Sequence, residues 1–510
     1  MNNLVLVLIT PLLAAVISIL LRKTSFKDQT AFTGSIIYTL SVVVLANQVM
    51  SKGAVSLQAG GWAAPYGITL VADHLSVLML SLTALVALAT VLYSWGYISD
   101  KGKESGYYGF LFFMITGMSG AFITGDLFNL FVMFEIVLMS SYALVAYSGS
   151  KESLFISLKY VVLNLIGSSL MLVAIGGLYS VTGTLNMAHM AQILAQGSVN
   201  MAPVLGLAAI LFCVFAVKSA LAPVHFWAPP VYANSPAPAS ALMSGISKKV
   251  GIYAVIRMYI TVFSQAKIPE TAILFAGKSV THAIGHLAIL MAAVTILLGG
   301  ISAINRNKLD KMLSYSSIGQ VGFIFVPLSI AMISGLQAAL TASIAYIVAH
   351  AIAKPALFMI SGIIKKMTGT SKLKDLGGLK ESSLLLSSSF FVLILSLVGI
   401  PPLLGFFAKL LSFQAAFNFG NSLVILLLFV GSLSTLLYAS KAFIQIFFGE
   451  PVEFDCSKVS RKELFSVIIL VITLLVVGLQ FEPVYQLIGE ASKSGINTQT
   501  YIETVLGATK

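Results

Sequence analysis

The chain has 510 residues, of which 58% are hydrophobic and only 9% charged, with a formal net charge of +12 and a mean hydropathy of +0.97. Soluble domains carry about 25% charged residues, whereas a membrane-spanning helix needs about 20 apolar residues in a row; such runs follow one another almost end to end here, which excludes a soluble fold. The basic balance does not point to nucleic acid, because the lysines and arginines sit in alternate short loops rather than in one patch.

The first run, MNNLVLVLITPLLAAVISILLRK, carries its positive charges after the apolar stretch and none before it. That order predicts a retained first helix with its N-terminus outside, not a signal peptide. Apolar length and periodicity predict 14 helices over 2–21, 30–49, 71–97, 106–124, 126–147, 155–181, 201–232, 237–263, 279–304, 310–332, 335–366, 383–417, 421–448 and 463–481. The Gly-rich segment 50–70, with Trp62, reads as an extracellular hairpin or loop, 183–198 as mildly amphipathic, and 482–510 as a polar tail. With this topology the inner loops hold 17 basic residues, at 22–27, 101–103, 151, 306–311, 365–380 and 458–462. The outer loops and tail hold five, Lys52, Lys267, Lys278, Lys493 and Lys510. The asymmetry follows the positive-inside rule and supports both count and orientation. The expected protein is an all-α, multi-pass protein of a prokaryotic plasma membrane.

Two helices read as broken. KSALAPVHFWAPPVYANSPAPAS carries Pro223, Pro229, Pro230, Pro236 and Pro238, and GIPPLLGFFAKLL carries Pro401 and Pro402 between Gly399 and Gly405. Proline removes a backbone hydrogen bond and clashes with the preceding turn. Such breaks survive at membrane depth only where protein or water satisfies the freed groups, and paired interruptions in two halves point to internal repeats and the transport path. Lys218 is followed 31 residues later by Lys249, and Lys409 is followed 32 residues later by Lys441. Helices 4–8 and 9–13 are therefore candidate five-helix repeats, and an odd helix count makes them inverted. The match is partial: the residue corresponding to Glu135 in the second half is Val326. The expected organisation is 1–105 for helices 1–3, 106–263 and 264–450 for the two repeats, and 451–510 for the last helix and tail.

Glu135 is the only acidic residue deep inside an apolar run, and Lys218, Lys249, Lys354 and Lys409 outnumber it there. An ionisable group at the bilayer centre costs about 3 kcal/mol on insertion scales, so these groups mark a function. Desolvation and a nearby opposite charge act on a carboxyl in opposite senses, so a Glu–Lys pair whose separation changes is a proton switch. The alternative use of Glu135 is a structural ion pair. His350 and Lys354 are four apart and share a helix face, with Pro355 loosening the turn behind them. Snorkelling to the interface is an open alternative for Lys159, Lys248 and Lys441. His225 falls in the first broken stretch, and Ser314, Ser316, Ser317 and Gln320 are placed to bind water; Arg257 reads as snorkelling and Asp73 as an N-cap. His282 and His286 share a face, but no carboxylate or cysteine completes a metal set, so no metal is expected. No nucleotide loop, HExxH, GxSxG or CxxC is present, and no cofactor is expected.

At these residues the chain resembles the antiporter-like subunits shared by Mrp-type multisubunit Na+/H+ antiporters, respiratory complex I and membrane-bound hydrogenases. The matching stretches are DLFNLFVMFEI, KSALAPVHFWAPPVYANSPAPASALMSGISKKVGIYAVIR, LLGGISAINRNKLDKMLSYSSIGQVGFI, HAIAKPALFMISG and GIPPLLGFFAKLLSF. The resemblance implies 14 helices, inverted repeats at helices 4–8 and 9–13, and breaks in helices 7 and 12. It implies that Glu135 is the fifth-helix glutamate paired with Lys218. Lys249, one place after Lys248, would be the eighth-helix lysine, His350 and Lys354 the eleventh-helix positions, and Lys409 the twelfth-helix site. The length, the start of the chain, the short tail and Lys409 are most similar to the D-type subunits of the Mrp branch.

The expectation is a proton-translocating subunit of a hetero-oligomeric Na+/proton antiporter, a secondary transporter rather than an enzyme. Its line would run along Glu135, Lys218, Lys249, His350, Lys354 and Lys409, with Lys248, His225, Lys441 and Ser316 as possible additions. Its partners would be other membrane subunits, protons and Na+, in a lipid bilayer. A proton-pumping subunit of a redox complex is the runner-up, and a membrane scaffold whose charges merely pair is the third reading.

Overall fold

A computed structural model describes residues 2–270, 272 and 274–507; Lys510, counted with the outer tail, lies outside them. The chain is a multi-pass bundle of helices. Eleven helices among the described residues are long and apolar enough to cross a membrane, and two shorter apolar helices, Tyr107–Ile123 and Leu384–Val398, stand among them. Their order along the chain follows the sequence expectation.

Burial sorts the helices into layers. The most apolar stretch of Gln337–Thr368 is buried on every side, and His74–Tyr97 and Leu309–Ser334 are nearly so, whereas only a third of the equivalent stretch is buried in Asn3–Leu20, Lys27–Lys52 and Ser422–Phe448. A helix apolar all round belongs in the middle of a membrane bundle; one that buries a single stripe leaves its Leu, Val and Phe for lipid. Leu20, Leu158 and Phe429 are exposed residues on helices of this second kind.

The first break falls where proline dictates. Met201–Ser219 ends with Ala220 in the left-handed region at φ 57°, a conformation that costs a non-glycine residue about 1 kcal/mol or more. The helix resumes at Ala228–Asn234. Trp227 Nε1 donates to the carbonyl of Val217 at 2.9 Å, and the amide of Ala222 donates to Thr295 Oγ1 at 2.8 Å, so protein groups satisfy the freed backbone. The second break lies between Leu384–Val398 and Leu404–Phe419, with Gly399 at φ 94°. The segment from Ala237 onward is continuous but changes pitch twice, with π-helical turns at Met243–Ser247 and Ile256–Val262 around Lys248–Val255.

The connections form two sets. In one, strands Val55–Gln58 and Thr69–Ala72 pair antiparallel, Val55 opposite Ala72, giving the expected hairpin. The tail joins this set. It is no loose polar segment but two helices, Phe481–Ile496 and Thr498–Leu506, that bury Ile488, Ala491, Tyr501 and Val505. Ser56 Oγ donates to the carbonyl of Thr504, Thr261 Oγ1 to that of Gly495, and Thr498 Oγ1 to that of Thr261, all within 2.8 Å. In the other set the amide of Leu309 donates to Ser371, that of Leu373 to Asn307 and that of Val452 to Gly377, while Lys27 pairs with Asp100 and Lys366 with the buried Glu463.

Candidate functional site

Glu135 and Lys218 meet on a third helix, not directly. Asn164 and Ser168 lie four apart on Lys151–Thr182, on one face of that helix. Ser168 Oγ donates to Glu135 Oε1. Lys218 Nζ donates to Ser168 Oγ at 3.2 Å and to Asn164 Oδ1 at 3.4 Å. Among the described residues Glu135 forms no ion pair within 4.0 Å of Lys218; one hydroxyl stands between them. Lys218, Asn164 and Ser168 are buried, whereas Glu135 is half-buried.

A second cluster forms where glycines let backbones touch. A side chain on Gly245 would strike Pro355 Cγ, and one on Gly251 would strike Ser219 Oγ and crowd the backbone of Ser219 and Phe215. These two positions draw the Lys248–Val255 turn against the His350 helix on one side and the end of the Lys218 helix on the other. Lys249 Nζ then lies 2.6 Å from His350 Nδ1 and donates to the carbonyl of Ser244, five residues back across the π-helical turn, at 2.9 Å. Lys248 does not snorkel; it is buried and donates to both the carbonyl and the hydroxyl of Ser317. Ser317 Oγ in turn lies 3.5 Å from His350 Nε2. His350 thus stands between the two neighbouring lysines.

One turn on from His350, Lys354 Nζ donates to Ser316 Oγ at 2.7 Å and to the carbonyl of Leu313 at 3.3 Å. Ser316 Oγ donates to Tyr438 Oη at 2.8 Å, Gln320 Nε2 donates to the same oxygen at 3.2 Å, and Tyr346 Oη donates to Gln320 Oε1. A cavity of about 20 Å³ touches His350, Lys354, Gln320 and Tyr346 on one side and Ser396 and Gly405 of the second break on the other. A space that size with several polar walls holds about one water. Beyond it Lys409 is buried, its Nζ donating to the carbonyl of Val398 at 2.8 Å and lying 5.3 Å from the Phe323 ring centre. Among the described residues, Lys248, Lys249, Lys354 and Lys409 form no ion pair with a carboxylate. Lys248 and Lys249 are neighbours in the chain, and like charges that close in a low dielectric repel strongly.

Three sequence candidates fall elsewhere. Lys441 donates to the carbonyls of Ile304 and Arg306 and to Asn307 Oδ1, at 2.9 to 3.1 Å, where it closes a helix end. His225 lies half-buried in the first broken stretch. Arg257 does not reach for the interface. It is buried and pairs with Asp73 at 2.8 Å, under the ring of Tyr501 from the tail; Asp73 also caps its helix as expected. His282 and His286 do share a face, their Nε2 atoms 3.3 Å apart. Asn164 and Ser168 escape a reading of the sequence. Their signal is an Asn and a Ser four apart in the apolar middle of the helix Lys151–Thr182.

Residues 124–435, which hold every residue of the line from Glu135 to Lys409, match the family described as NADH:quinone oxidoreductase/Mrp antiporter, TM. The chain is similar to the D-type subunit of the Na+/H+ antiporter of Alkalihalophilus pseudofirmus, with 36% identity over 99% of this chain and 100% of the relative. It also resembles a chain of the archaeal membrane-bound sulfane sulfur reductase complex, with a TM-score of 0.89, 29% identity, and 99% of this chain and 100% of that one covered. A chain of the Mrp complex from Dietzia sp. DQ12-45-1b gives a TM-score of 0.88 and 26% identity, with 99% of both chains covered.

Proposed function

This chain belongs to the NADH:quinone oxidoreductase/Mrp antiporter, TM family, and on that premise we propose that it is the proton-translocating, D-type subunit of a multisubunit Na+/H+ antiporter. It works among other membrane subunits, in a plasma membrane, with its N-terminus outside. Full-length similarity to the D-type subunit of a Na+/H+ antiporter supports the assignment. The observation that carries the mechanism is the run of buried lysines whose partners are hydroxyls, carbonyls and an imidazole.

Protons pass along Glu135, Lys218, Lys249, His350, Lys354 and Lys409, with Lys248 and Ser316 lending hydrogen bonds. Within each cluster a proton moves through a hydroxyl or ring nitrogen already in contact. Between clusters, a charge gained or lost at one group shifts the balance at the next by Coulomb interaction through a low dielectric. A single deep carboxylate is a poor cage for a hard cation, so this subunit carries protons and Na+ crosses elsewhere in the complex. We read 14 alternating crossings and the four-part organisation 1–105, 106–263, 264–450 and 451–510 with inverted repeats; the two sets of connections, each hydrogen-bonded within itself, support the alternation.

The test is Glu135→Gln in the assembled complex. The amide still accepts from Ser168 but no longer titrates, so antiport is expected to fall at least about 100-fold while co-purification with partner subunits stays normal; intact antiport would sink the mechanism. A proton-pumping role in a redox complex is the second reading, supported by the likeness to a chain of an archaeal respiratory complex. Co-purification with iron–sulfur subunits would favour it.

A further inference from the structure

We propose that the Ser168 hydroxyl is the obligatory relay through which Glu135 and Lys218 exchange a proton. The inference rests on the reading of these two residues as a proton-transfer pair. The sequence places opposite charges on the helices Leu127–Ala146 and Met201–Ser219, yet among the described residues the helix Lys151–Thr182 holds the one hydroxyl that hydrogen-bonds both. The contacts already point one way. The ammonium of Lys218 donates to Ser168 Oγ, and Ser168 donates to the Glu135 carboxylate.

Transfer along that line is balanced. An N–H bond of Lys218 breaks as an O–H bond forms on Ser168, while the original Ser168 O–H breaks and its proton joins Glu135 Oε1. The products are a neutral amine, a neutral acid and a hydroxyl now donating toward the amine nitrogen, with no net charge moved out of the cluster. Reversal needs only the same steps backwards. An ion pair in direct contact would trap both charges. A pair held apart by one rotatable O–H is poised to pass a proton each way. Asn164 fixes the lysine end: its Oδ1 accepts from Lys218 and its Nδ2 donates to the carbonyl of Tyr160 at 3.0 Å, so the amide cannot flip to present a donor without losing both contacts. Asn164 is therefore a positioning residue, and Ser168 carries the proton.

Threonine and valine at 168 separate this role from packing, because they have the same shape and differ in the hydroxyl. Ser168→Thr, Ser168→Val and, as a control, Lys218→Ala are compared in everted vesicles bearing the whole complex. Na+-driven dequenching of a pH-sensitive dye is the readout, with assembly checked by co-purification. The expected result is that Thr retains antiport while Val loses at least about tenfold relative to Thr, within the range of a positioned proton donor. Equal antiport in the Thr and Val variants, with Lys218→Ala inactive, overturns the relay and leaves the transfer pair standing. Active Lys218→Ala overturns the pair itself. If the β-branched side chains block assembly, Ser168→Ala removes only the oxygen and cannot clash; native-level antiport in that variant overturns the relay.

Discussion

Lys354 and Lys441 both lie in predicted helices, Lys441 with snorkelling as an open alternative, and the structure separates them by what they touch. Lys354 is buried with Ser316, which leads on to Tyr438 and Gln320. Lys441 spends its three protons on the carbonyls and Asn307 at the end of the helix Val280–Ile304. Cations at a helix C-terminus are worth about 0.3–1 kcal/mol through the helix dipole. Lys441→Ala is therefore expected to lower the thermal midpoint of the complex slightly and leave antiport within about twofold, whereas Lys354→Ala is expected to stop it with assembly intact. Equal transport losses in the two variants would put both lysines in the path. Tyr438→Phe removes the hydroxyl that accepts from Ser316 and Gln320, and a loss of about 2- to 10-fold is expected, a single neutral hydrogen bond being worth about 0.5–1.5 kcal/mol.

At the scale of elements, proline, glycine and helix pitch bring the side chains together. The breaks after Ser219 and Val398 were legible because Pro223, Pro401 and Pro402 forbid a regular helix there. The π-helical turns were not legible, since no residue type demands that pitch. The first of them holds Gly245 against Pro355, Gly251 sits in the α-helical stretch between the two, and the second holds no glycine. Gly245→Val is expected to push the turn off Pro355 and separate Lys249 from His350. Overpacking of this kind costs about 1–3 kcal/mol, so the subunit is expected to assemble at reduced yield with antiport per complex down at least about tenfold. Normal specific activity would show that the Lys249–His350 contact is dispensable. Asn164 and Ser168 were hidden for a different reason. A serine in a membrane helix usually bonds its own backbone, and only the position of Lys218 and Glu135 in space turns this one into a bridge.

At the scale of the molecule, the line is not continuous. The Lys218 cluster and the Lys249 cluster share no hydrogen bond among the described residues; nearby, Trp227 stacks on Tyr160 and meets Tyr232 edge-on, and Lys248 lies 5.7 Å from the Tyr232 ring centre. On the proposed mechanism, charge rather than a proton wire links these two clusters. The family, the bundle class and most line residues were legible from the motifs. The helical tail was not, because two short amphipathic helices with many polar residues average to a polar segment until a surface is there to bury their apolar side. That surface includes the Asp73–Arg257 pair under Tyr501. Deleting 481–510 uncovers a buried ion pair and is expected to abolish accumulation of the protein, read by immunoblot of membranes; normal accumulation would make the tail an accessory.

The most direct test of a proton path through this chain is Na+-dependent proton antiport in everted vesicles with Lys218→Ala, assembly being checked by co-purification. Lost antiport in a fully assembled complex is the predicted result. Retained antiport in that complex would contradict it, make the buried lysines structural, and move the proton path to another member of the complex.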